Sequence, residues 1–191
     1  MNTNIILDKL PQYTQNGLRL RTDFRESIKF ELLMQDNKLD ERTKVMQALK
    51  LYYYDISKIT DLKQAIADIL WFYSRGKQEL KTNKTSGQTK NIKQIYSYEF
   101  DDEYIYSAFM EQYKLDLNSI KYLHWWKFKS LINGLNENIH FVKIMGYRSI
   151  DLSQIKDKDM KAKYKKLKQQ YALPDMRTAE EKEADFGKAF W

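Results

Sequence analysis

The chain contains no cysteine, and only two prolines and six glycines among its 191 residues. Without cysteine there is no disulfide framework, no thiolate metal site and no thiol nucleophile, which suits a reducing compartment. Scarce proline and glycine leave helices free to run uninterrupted. No stretch approaches the roughly 20 apolar residues that a membrane helix requires. The opening MNTNIILDKLPQ lacks the basic flank and apolar run of a secretory signal, so a soluble cytoplasmic protein is expected. Histidine is equally scarce, with only His124 and His140. The sequence contains no HExxH, no H-x-E with paired cysteines, no glycine-lysine phosphate loop and no GxSxG. The acidic pairs Asp101-Asp102 and Glu180-Glu181 are adjacent, so they do not face one another on a helix, and helix capping accounts for them. The expectation is no enzyme, no catalytic residue, no cofactor and no metal site.

Aromatic residues and lysine are abundant. The 14 Tyr, 9 Phe and 4 Trp carry enough apolar surface for a real core rather than a disordered chain. The net charge is +7, with much of the excess in residues 77–93 and 156–168. Both segments are rich in lysine rather than in the arginine that clamps phosphate with two donors. Nucleic acid is therefore a disfavoured partner.

The apolar pattern predicts a mainly α protein, a bundle of about seven to eight helices. Asn16-Gly17 between Tyr13 and Leu18 is a turn signal, leaving room for a small N-terminal β-hairpin. Asp23 with Glu26 reads as a capping box opening the first helix, and a second helix begins near Asp40. A third opens at Asp61 with Leu62, Ala65, Ile66, Ile69, Leu70 and Tyr73 as its buried stripe, and stops at Gly76. Residues 77–94 form a basic linker or loop between an N-terminal lobe (1–76) and a C-terminal lobe (95–191), which could also pack as one domain. Beyond it, a largely buried central helix opens near Asp101-Asp102. Another runs from about Ser119 to Asn133, and a short one from Ile139 to Met145 stops at Gly146. The segment Asp157 to Tyr171 carries a narrow apolar seam of Met160, Tyr164, Leu167 and Tyr171 among lysines, of coiled-coil width. Thr178 and Glu181 form a further capping box in the tail, which ends in Phe190-Trp191.

His124 lies among apolar neighbours and reads as a hydrogen-bonded core residue. The remaining features point to surfaces that meet other polypeptides. Trp71, Tyr122 and Trp126 fall on the outward sides of their helices. With Tyr164, Leu167 and Tyr171 of the seam and the terminal Phe190 and Trp191, they are the candidate protein-binding residues. Aromatic anchors carry most interface energy, and a helix-in-groove contact would use them. Each of these side chains can instead pack within its own chain.

The segments TDFRESIKFELL and WFYSRG, then YSYEFDDEYIYSAFMEQYKLDLNSIKYLHWWKFKSLINGL, IMGYRSIDL and KYKKLKQQYALP, resemble the bacteriophage gp-fifteen family from about residue 18 to 175. The resemblance implies a product of a tail-morphogenesis gene cluster, encoded between the major tail protein and the tape-measure protein. It implies a tail assembly chaperone of the host bacterial cytoplasm, absent from the mature virion. Its partners would be the tape-measure protein and the major tail protein, with self-association left open. A minor structural tail protein is the alternative, and a nucleic-acid-binding phage factor a second one. Arg148, Trp125 and Trp126 belong to the matching motifs.

Overall fold

A computed structural model describes residues 3–77 and 94–174. Within them lie seven α-helices: α1 (Phe24–Gln35), α2 (Glu41–Tyr52), α3 (Leu62–Tyr73), α4 (Asp102–Tyr113), α5 (Trp125–Asn133), α6 (His140–Ser149) and α7 (Lys158–Gln170). Short 3-10 turns occupy Ile56–Lys58 and Leu152–Gln154. Most of the linker and all of the tail from residue 175, with its Thr178–Glu181 box and terminal rings, lie outside the described residues.

Aspartate starts most of these helices. Asp40, Asp61 and Asp157 each accept a hydrogen bond from the backbone N–H three residues on, filling an orphan donor of the first turn. Asp23 caps α1 through Arg25 N. Its expected box partner Glu26 pairs instead with Lys29.

One hydrophobic core draws on both sides of residues 78–93. Phe128 of α5 is at its centre, stacked on Phe24 of α1 (4.6 Å), Phe109 of α4 (5.2 Å) and Trp125 (5.8 Å). An antiparallel bridge between Asp23 and His124 ties the two halves together, with Phe24 N donating to Leu123 O and Trp125 N to Thr22 O. The adjacent indoles of Trp125 and Trp126 donate to Tyr73 O (2.8 Å) and Phe72 O (2.7 Å). They supply Tyr73 O and add a second donor to Phe72 O at the C-terminus of α3, where the helix has no further N–H of its own to offer. Arg75 and Gly76, both with positive φ, close that end. Arg75 N bonds Phe72 O and Gly76 N bonds Trp71 O, the two bonds of a Schellman motif. The left-handed residue directly after the cap is thus Arg75, one position before the expected glycine.

Four expected elements are corrected. The buried face of α3 is Ala65, Asp68, Ile69 and Phe72, while Leu62 and Leu70 face solvent. The helix is turned because Tyr52 and Trp126 pack on Phe72. α4 buries only Ile105, Ala108 and Phe109. Met110 is exposed, and Tyr104, Tyr106 and Tyr113 are half-buried, since a phenol can keep its polar tip wet. α5 starts at Trp125, not near Ser119, because His124 is held extended by its antiparallel bridge to Asp23, while Arg25 donates to the carbonyls of Leu117 (2.7 Å) and Ile120 (2.8 Å) ahead of it. Finally, α6 runs through Gly146 to Ser149.

Candidate protein-binding surface

Asn4 and Asp8 close a single turn at the start of the described chain. The Asn4 side chain accepts from Ile6 N (2.9 Å) and Leu7 N (3.3 Å), and the Asp8 carboxylate accepts from Asn4 N (2.7 Å). Asp8 N returns a bond to Asn4 O at 2.9 Å. The polar residues are spent on backbone, and the aliphatic ones are left at the tip. Ile6 is 86% exposed and Leu7 81%. Past this tip the chain is pinned by His124, whose Nε2 lies 3.1 Å from Pro11 O. It then reverses at Asn16-Gly17, with Gly17 at φ 77, Thr14 N bonding Leu18 O and a bridge between Tyr13 and Arg19. The turn signal is realised as isolated bridges.

Residues 18–21 next pair with the end of α2. Leu20 bridges Tyr53, and the Arg21 guanidinium donates to Lys50 O (2.6 Å) and Tyr53 O (2.8 Å). This places the exposed Tyr54 ring under two cations, Arg19 at 4.6 Å and Arg21 at 4.8 Å. Tyr122 completes the face, its hydroxyl 2.7 Å from Thr22 Oγ1. Between the tip and Tyr122 lies an open groove of about 680 Å³ lined by Ile5, Leu10 and Tyr13, with Lys9 and Lys127. It shares Gln12 and Tyr122 with a neighbouring depression that reaches Arg19 and Tyr54. The result is a continuous surface of aliphatic tip, three tyrosines and cations. Tyrosine and arginine are the side chains that dominate binding energy at protein interfaces.

The candidate residues separate. Tyr122 is exposed on this face. Trp126 is 2% exposed and belongs to the core. Its outward position on the expected longer helix does not survive the later start of α5, which turns it onto α3. Trp71 is half-buried, edge-on to Trp126 at 5.7 Å. Tyr164, Leu167 and Tyr171 are half-buried against α6 and its flanks, with Tyr147 stacked on Tyr171 at 5.8 Å and His140 edge-on to it at 5.9 Å. Phe190 and Trp191 lie outside the described residues. Sequence reasoning missed Ile5–Leu7, Tyr13 and Tyr54. A signal existed for the first, since three aliphatics stand between Asn4 and Asp8 with no period that would bury them.

The polar groups beneath the surface are committed to structure. His124 Nδ1 accepts from Trp126 N at 3.1 Å, so Nε2 carries the proton and donates to Pro11 O. Burial pushes the imidazole below its ordinary value and keeps it neutral. The Lys129 ammonium lies over the rings of Tyr96, Tyr98 and Trp125 and donates to Tyr96 Oη at 2.6 Å. Tyr73 donates its hydroxyl to Glu31, and burial raises the phenols of Tyr73 and Tyr98, so both stay protonated. Among the described residues no group of three His, Cys, Asp or Glu could hold a metal ion, and no helix is long and apolar enough to cross a membrane.

A model of the family described as Bacteriophage Gp15 protein matches residues 6–173. No curated protein and no solved structure matches the chain.

Proposed function

The chain belongs to the bacteriophage Gp15 protein family, and from that premise we propose that it is a tail assembly chaperone. It binds the tape-measure protein and tail-tube subunits, works in the host cytoplasm, and performs no catalysis. The observation that supports this reading most is the Asn4–Asp8 turn, which holds Ile6 and Leu7 in water next to Ile5, itself in the groove lined by Tyr13 and Tyr122. Leaving two such aliphatics exposed forgoes about 1.5–3 kcal/mol each relative to burial. A long helical client offers the apolar stripe that would cover them.

Co-expression with the tape-measure protein of the same phage tests the reading. The expected result is a soluble complex where the tape-measure protein alone is insoluble. Unchanged solubility with no recovered complex would overturn it. Mass spectrometry of purified particles addresses fate. A chaperone is absent from them, whereas recovery at fixed stoichiometry would make the protein a minor structural component instead.

A further inference from the structure

Helix α7 gathers lysines that form no ion pair among the described residues. Residues 156–168 contain seven lysines and two aspartates. Asp157 is used as the cap on Met160 N, and no ion pair among the described residues involves α7. Lys168 is drawn to the α6 terminus, where it donates to Ile150 O. Lys158, Lys161, Lys163, Lys165 and Lys166 are exposed. They repel one another along the helix at three- and four-residue spacings (158–161, 161–165, 163–166), and such like-charge neighbours destabilise a helix. The opposite side of α7 rests on α6 through Tyr164 and Tyr171, which pack on Tyr147. Met160, at the free end of the same seam, stays 44% exposed.

We infer that α7 is a docking surface for an acidic amphipathic polypeptide segment. Carboxylates of that segment meet Lys158, Lys161 and Lys165, and an apolar side chain covers Met160. Charge complementarity sets the sign of the ligand. Its class follows from what accompanies the lysines. The helix has no arginine to grip phosphate through two donors, and its half-buried tyrosines face α6 rather than offering a platform for bases. The apolar contact at Met160 is of no use to a phosphodiester backbone. This surface is separate from the Asn4–Asp8 tip, so either can fail without the other.

The test uses the full chain, with poly-L-glutamate, a glutamate–tyrosine copolymer and duplex DNA of equal charge as probes, titrated at low and at physiological salt. A triple variant Lys158→Gln, Lys161→Gln, Lys165→Gln is compared with Lys38→Gln, Lys50→Gln, Lys63→Gln, which changes net charge equally. Far-UV circular dichroism verifies that glutamine, also a good helix former, leaves both folded. The α7 triple weakens polyglutamate binding by about five- to ten-fold, as expected for three exposed ion pairs, and the control by less than about two-fold. The copolymer binds more tightly than polyglutamate, and Met160→Gln removes that gain. Equal losses in both triples, no binding, no gain with the copolymer, or tighter binding of DNA would each overturn the inference.

Discussion

The Arg148 guanidinium meets the Asp101 carboxylate through two parallel hydrogen bonds, at 2.6 and 2.8 Å, with Asp101 only 1% exposed. The pair joins the start of α4 to the last turn of α6. Arg148 also donates to Ile95 O at 3.1 Å and to Tyr171 O, while Asp101 accepts from Ser97 N at 2.9 Å. One guanidinium thus ties α4, the chain entering it and the end of α7 to a single point. Removing one partner leaves the other charge buried and uncompensated. Asp101→Asn and Arg148→Met are each expected to destabilise the fold by about 3–5 kcal/mol, measured by urea unfolding. Arg148→Lys should rescue little, because a lone ammonium cannot make the fork. A loss below about 1 kcal/mol for the single variants would contradict this account.

Two glycines predict shifts of opposite sign. Gly146 lies inside α6 with no atom within 4 Å of where a Cβ would be. Gly146→Ala should stabilise by about 0.5–1 kcal/mol through helix propensity alone. Gly76 has φ 66, and its Cβ would come within 3.3 Å of both Trp126 and Trp71. Gly76→Ala should therefore destabilise by about 1–2 kcal/mol, since left-handed strain and crowding act together. Thermal melts of the two variants read out the difference, and shifts of the same sign would refute it.

His124 makes stability depend on pH. Its folded-state value is depressed below the ordinary 6.5, first by burial and further by Lys127, against the opposing bond to Pro11 O. A depressed value means that the unfolded chain takes up the proton first. The contribution is complete above pH 6.5 and is lost as pH falls through the folded value, where Nδ1 can no longer accept from Trp126 N. His124→Asn keeps an N-cap acceptor without titrating in that range. Urea unfolding between pH 8 and pH 5 should show a smaller acid loss for this variant than for wild type, and parallel curves would exclude His124 as the cause.

The aliphatic tip should be dispensable for folding. Ile6→Ser with Leu7→Ser alters surface residues that touch little else, so unfolding free energy should move by no more than about 0.5 kcal/mol. Recovery of the tape-measure protein in pull-down should fall steeply. An unimpaired pull-down would remove the tip from the interface even if the complex itself is real.

Several features were readable in the chain because local chemistry decides them. Asp40, Asp61 and Asp157 start helices by filling orphan donors three residues on, and Asn16-Gly17 turns the chain because glycine tolerates positive φ. His124 reads as a core residue from its apolar neighbours alone. Arg148 was visible only as part of a motif, and Asp101 only as an ordinary cap. Their pairing spans 47 positions, and no local period records that.

Sequence by itself determined a mainly α fold, most helix starts and the lysine excess of α7, since propensity, capping and charge act over a few residues. Tertiary structure alone decided which helix faces are buried. Trp126 became core because its ring packs on Phe72 and its indole N–H reaches Phe72 O, and α5 began late because Leu123 and His124 are held extended against Asp23. In both cases a hydrogen bond joins one segment to a residue that only folding brings near.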